Sequence, residues 1–214
     1  YSLWARRAPD APDFKEIKVV QLSSAPDLMQ TNEHGEFKYG KMTDSGETYS
    51  VLTYGRIVSL TRQAMVNDDL RGFDRMLQAF GASARRLENR LVYAQLTGNA
   101  ALADGVALFH ANHANLATGV PSALQLSSMA AARTAMRLQK GMAGEELNLA
   151  PAYLIVPAAL ETTAYQLTSS NYVPAKPADI NEFRSGGATS LAPVIEPLLD
   201  SVSSTAWFMA AKTS

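Results

Sequence analysis

His110 and His113 form His-x-x-His, the spacing in this chain best suited to binding a metal. On a helix it sets two imidazoles on one side of an ion. Asn112 and Asn115 favour a turn instead, no third ligand stands beside the pair, and the chain contains no Cys. Polar residues closing a turn explain the pattern more simply. His34 adjoins Gly35 and has no nearby partner of its own. The carboxylate pairs Asp68-Asp69 and Glu145-Glu146 are adjacent in sequence, so their side chains point to different faces and suit caps and solvated turns better than an acid/base dyad. No Gly-x-Gly-x-x-Gly, Walker or Gly-x-Ser-x-Gly pattern occurs. Gly141-Met142-Ala143-Gly144 follows a predicted helix rather than opening one, so it cannot cradle phosphate in the usual way. No catalytic residue, metal ligand or cofactor site is assigned, and the expectation is a protein that is not an enzyme. Arginine spacing points elsewhere. Arg86 and Arg90 are like charges four apart, which disfavours a helix unless a carboxylate or another subunit lies opposite.

The element that must carry those arginines is Asn67 to Gly98. Leu70, Phe73, Leu77, Phe80, Ala84, Leu87 and Leu91 recur at alternating spacings of three and four, the mark of a helix buried along one stripe. Asn67 or Asp68 would cap it, Arg85, Arg86 and Arg90 would crowd its last turns, and Gly98 would stop it. Thirty-odd residues at about 1.5 Å each make a rod of roughly 45 Å, against a usual helix of about 11 residues. Gly81 costs such a helix about 1 kcal/mol relative to Ala, so packing rather than propensity must hold it.

Before the rod, Phe14 to Leu22 reads as a strand in a proline-punctuated arm, with Ile17 and Val19 on one face. Glu36 to Met42 and Glu47 to Thr53 read as a hairpin around the turn Thr43-Asp44-Ser45-Gly46. Such a hairpin is marginal alone and must lie on something. Gly55 to Val66 alternates and reads as a strand leading into the helix. After the rod come a helix or loop at Ala100 to Leu108, a brief strand at Leu108 to His110, and turns to Pro121. Then follow an alanine-rich helix Met129 to Lys140 capped by Ser127 or Ser128, a buried strand Tyr153 to Val156, and a helix Ala158 to Leu167 opened by Pro157. An extended Val173 to Pro177, a turn at Ser185 to Ala188, an edge strand within Ala192 to Leu199 and a last strand Ala206 to Ala211 complete a compact mixed half.

The chain has 214 residues, 47% apolar, with a net charge of −1. Composition therefore gives no electrostatic case for gripping nucleic acid, and zero cysteines exclude disulfides and thiolate chemistry. No apolar run reaches the length of about 18 residues that suggests a membrane span. The first residue is Tyr1, as expected of a processed protein or part of something longer.

Several collinear segments carry a resemblance: Gly46 to Thr97, ALADGVALFHANHANL at Ala101 to Leu116, LNLAPAYLIVPAALE at Leu147 to Glu161, PAKPADINEFR at Pro174 to Arg184, and PVIEPLLD at Pro193 to Asp200. Together they resemble the major capsid proteins of tailed phages, within them the Mu-like prophage major head protein family. The resemblance implies an α+β major capsid fold: an N-terminal arm (1–30), an extended hairpin loop (31–56), a peripheral domain (57–118) with a spine helix (69–97), and a mixed α/β axial domain (119–214). It further implies that the C-terminal return to the peripheral domain is missing, since the chain stops at Ser214.

By the same resemblance the protein is a structural subunit of a phage or prophage icosahedral head. It would assemble in the bacterial host cytoplasm into hexamers and pentamers of itself, become part of the virion and enclose DNA non-specifically. Scaffold and portal proteins are the expected partners, and no membrane is involved. Leu70, Phe73, Leu77, Phe80, Leu87 and Leu91 are expected to seat the spine helix. Phe37, Tyr39, Tyr49, Val51, Arg85, Arg86 and Arg90 are the expected subunit-interface residues. A nanocompartment shell of the same fold is the alternative, and a metal-dependent enzyme using His110 and His113 the weaker one.

Overall fold

The computed structural model describes residues 1–23, 25, 39, 42, 44–59, 61–66, 72–169, 183, 186 and 190–212. Its elements in order are β1 (Ile17–Leu22), β2 (Asp44–Tyr49), α1 (Arg62–Val66), α2 (Gly72–Gly98), α3 (Leu126–Arg137), β3 (Pro151–Val156), α4 (Glu161–Thr168), β4 (Ala192–Ile195) and β5 (Phe208–Ala211), with short 3-10 turns between them. Mixed helix and strand of this kind is the α+β class read from the sequence.

The core is organised around β3. It is the middle strand of a three-stranded sheet, parallel to β4 and antiparallel to β5. Its apolar run is unbroken because both faces are covered. Leu154 and Val156 point one way, into a cluster with Met129 of α3 and Ala164 and Leu167 of α4, together with Phe183 and Leu191. Ile155 points the other way, against Tyr93 of α2 and Leu199. All three strand residues are at most 1% exposed. Asp200 ties the ends together: its Oδ2 accepts from the Ala158 amide at 2.6 Å and its Oδ1 from the Ala159 amide at 3.1 Å.

The expected strands at Tyr153 to Val156 and Ala206 to Ala211 are present, and β4 lies at a sheet edge as its flanking prolines require. α3 starts earlier than expected and ends at Arg137. Ser128, one turn inside, reaches back so that its Oγ accepts from the Gln125 amide at 3.1 Å. Leu108 to His110 is not a strand. A bridge Ala101↔Ala107 and a 3-10 turn Ala111–His113 occupy this region.

The first half departs further. Asp44, Ser45 and Gly46 are not a turn but part of β2, which pairs antiparallel with β1 from Ile17↔Tyr49 to Leu22↔Asp44. The expected partner strand falls mostly outside the described residues. Tyr39 and Met42, which are described, lie in no strand. The predicted strand Gly55 to Val66 is also absent: residues 50–59 are irregular and Arg62–Val66 is helical. Val19 and Val20 point to opposite faces of the β1–β2 ribbon, yet both are 48% exposed, so each face is at most partly covered by the described residues.

α2 runs for 27 residues, a rod of about 40 Å. It ends at Gly98, as expected. Asn99 follows in the left-handed conformation (φ 43°), which Asn tolerates, and its carboxamide closes the turn. Nδ2 donates to the Phe109 carbonyl at 3.1 Å and Oδ1 accepts from the Phe109 amide at 2.6 Å. Asn67, Asp68 and Leu70 lie outside the described residues, as does the side chain of Phe73. Of the predicted seating residues that are described, Leu77 is 68% exposed, Phe80 41% and Leu91 38%, so these three do not seat the helix, whereas Leu87 is half-buried; Ala84 of the same stripe is exposed. The helix seats instead through Asn89, Tyr93 and Leu96, spaced by four and three. Among the described residues, the packing of α2 on the sheet falls in this last third. Its last turn contains no basic residue, so the arginines lie in mid-helix rather than at the C-terminal end of the dipole.

Candidate functional site

Where α2 passes the end of β4, Arg85, Arg86, Asn89 and Arg90 line an open cavity of about 350 Å³ with Glu196 and Leu198. Two neighbours from distant parts of the chain position its wall. Glu196 donates its amide to the Val156 carbonyl at 3.0 Å, which fixes it beyond the end of β3. Its Oε1 accepts from the Leu198 amide at 3.2 Å, and its Oε2 accepts from Asn89 Nδ2 at 2.8 Å. The carboxylate is thus held on one side of the cavity by neutral donors. Arg85, Arg86 and Arg90 are exposed, and none makes an ion pair with a described residue. Three permanent charges with forked donors, facing one fixed carboxylate, leave a net positive pocket suited to an oxyanion.

The N-terminal segment braces the same helix. Trp4 stacks edge-on against Tyr93 with ring centroids 5.5 Å apart and donates its indole N–H to the Tyr93 hydroxyl at 3.2 Å. Burial beside Ile155 and Leu199 pushes the Tyr93 phenol up from its ordinary pKa.

Of the expected interface residues, Arg85, Arg86 and Arg90 come together at this pocket. Tyr39 is fully exposed and Val51 is 40% exposed, Tyr49 ends β2 half-buried, and Phe37 lies outside the described residues. Sequence reading missed Asn89, Glu196 and Leu198. Asn89 and Glu196 are 107 residues apart, and no local pattern joins them. It also missed Glu47, whose carboxylate accepts from the Ala103 amide at 2.9 and 3.2 Å and fastens the ribbon to the loop after α2.

The two histidines are taken up locally. His110 Nδ1 accepts from the Asn112 amide at 3.1 Å. His113 Nδ1 faces the Leu108 carbonyl at 3.1 Å and its Nε2 faces Asp104 Oδ2 at 2.9 Å, so two acceptors favour the doubly protonated ring. The Asp104 hydrogen bond accordingly raises the His113 pKa and lowers that of Asp104. Among the described residues no three metal-ligating side chains gather around either ring.

The described residues thus combine a charged pocket on α2 with exposed apolar side chains on α2 and on the ribbon. The family comparison makes this particular: residues 46–214 match the family of phage capsid proteins. The chain belongs to that family and is a phage major capsid protein, a structural subunit of the phage head. Comparison with curated proteins and with solved structures gives no match. Among the described residues no helix is long and apolar enough to cross a membrane.

Proposed function

We propose that the protein is a Mu-like phage or prophage head subunit that assembles with copies of itself into hexamers and pentamers, and these into an icosahedral shell around DNA. The observation that carries this reading is the unburied apolar surface of a single copy. Leu77, Phe80 and Leu91 on α2 and Val19, Val20 and Leu22 on the ribbon are between 38% and 68% exposed. Two separate apolar surfaces on one chain are what repeated contacts between identical copies need. In this reading residues 1–30 are the arm, 31–56 the loop that reaches over a neighbour, 57–118 the peripheral domain with α2 as spine, and 119–214 the axial domain. The pairing of β1 with β2 makes arm and loop one ribbon at their bases. Tyr39, Tyr49 and Val51 then belong to the subunit contact made by the loop. Scaffold and portal proteins would guide assembly in the host cytoplasm, and DNA would be enclosed without sequence preference.

Electron microscopy of the protein expressed with its own head genes tests the proposal. Shells or ring-shaped capsomers are expected. Their absence under every assembly condition tried would sink it.

A further inference from the structure

We infer that the Arg85–Arg86–Arg90 pocket takes a carboxylate from a second copy of this chain, the exposed Asp44 at the outer end of the ribbon being the best-placed donor. The inference rests on the proposed self-assembly and names one of its contacts. The pocket is an open cavity of about 350 Å³, lined by Leu198 and the fixed Glu196 carboxylate beside the arginines. That shape admits a side chain. A DNA duplex, by contrast, presents a phosphate about every 3.4 Å of helix axis on each strand and is gripped by an extended basic surface, which the Glu196 charge would interrupt. A guanidinium fork matches one carboxylate in two parallel hydrogen bonds.

The supply side is also on the molecule. Among the described residues Glu16, Asp44 and Glu161 are exposed carboxylates with no hydrogen-bond or ion-pair partner. Asp44 pairs with Leu22 at the end of the ribbon nearest the connection between its strands, and both residues are exposed. A chain of net charge −1 with three unpaired arginines in one place and unpaired carboxylates elsewhere is arranged to cancel charge between copies.

The test is self-association of the intact protein by sedimentation, with shells scored separately by microscopy and fluorescent duplex DNA titrated in parallel. The double variant R86E/R90E should keep the wild-type circular dichroism and melting temperature. Its self-association should weaken about 30-fold or more, and D44R should restore at least about tenfold of that loss. Salt should weaken the wild type and leave the variant little changed. Salt-sensitive association that R86E/R90E removes, without shells, would keep the pocket contact and reject the shell. Shells that form equally well from R86E/R90E would keep the shell and reject the pocket contact. Failure of D44R, E16R and E161R alike to restore association overturns the carboxylate partner. Loss of duplex binding in R86E/R90E with association intact assigns the pocket to DNA and overturns it too.

Discussion

The two halves of the chain treat the same kind of residue in opposite ways. In the second half, Leu154, Val156 and Met129 are completely buried in one cluster on one face of β3, and Ile155 is buried on the other, all by elements of the same chain. In the first half, Leu77 on α2 and Leu22 on β1 are about two-thirds exposed, on elements that are fully regular in backbone. Both places carry large aliphatic residues on regular backbone. What differs is whether the chain brings its own cover. The second half can hold itself together by burial, whereas the ribbon and most of α2 owe little of their stability to the rest of the chain. A two-stranded ribbon is marginal alone in water, and a helix draws most of its stability from packing.

The largest expected effect breaks or keeps this comparison directly. Leu154→Ala should lose about 2–5 kcal/mol of stability, because it opens a cavity at the centre of the sheet. Leu77→Asp, a harsher change chemically, should alter stability by no more than about 0.5 kcal/mol while impairing association between copies. Denaturant titration of both variants decides the matter. If Leu77→Asp unfolds the isolated subunit, α2 is covered within one chain and the contrast between halves collapses.

A middle-sized effect concerns how the second half is fastened. Asp200 accepts from two amides, Ala158 and Ala159, at the turn between β3 and α4. Asp200→Ala leaves both donors without this partner and should cost about 1–3 kcal/mol, with Asp200→Asn recovering part of it. Equal stability of all three proteins by thermal melting would mean that water replaces the carboxylate at no loss.

Legibility in the sequence followed the same division. β3, β5 and the edge position of β4 could be read because a short apolar run and two prolines have local causes. The stripe on α2 correctly announced a helix with one apolar face, but a spacing of three and four does not say which chain covers that face. Tyr93, the true seat, was hidden because it lies off the stripe and its partners Trp4, Ile155 and Leu199 are scattered over the chain. Thr43-Asp44-Ser45-Gly46 was misread for a different reason. Asp, Ser and Gly are turn residues by propensity, yet here tertiary pairing places three of them in a strand. Gly46 is there for closeness: a Cβ on it would come within 2.8 Å of Lys18 Cε and 3.0 Å of the Val19 carbonyl oxygen. Of the pocket, the arginines were legible as an unbalanced charge cluster. Glu196 was not, because its role depends on where β4 ends beside α2.

The smallest expected effect lies at the seam between the halves, where Glu47 of the ribbon binds the Ala103 amide on a loop clipped by Asp104 to His113. The His113 pKa is raised, chiefly by the Asp104 hydrogen bond, so its contribution is complete below the ordinary value of 6.5 and fades as pH rises through the raised one. The Asp104 pKa is lowered, chiefly by the same bond, so its contribution is present above the ordinary 3.8 and fades as pH falls through the lowered value. The clip is therefore tightest between those two ordinary values. Asp104 keeps 51% of its side-chain surface and His113 23%, so water screens the pair and the effect on global stability should be slight. It should be visible locally: an NMR titration should find the His113 pKa raised above the ordinary histidine value, and Asp104→Asn should lower it. Raising the pH past the His113 transition should then lower the protection of the Ala103 amide, next in sequence to the aspartate, beyond the intrinsic rise of exchange with pH, and Asp104→Asn should abolish that extra loss. A His113 titration unmoved by Asp104→Asn would show that the clip does not form in solution, leaving Glu47 to hold the seam without it.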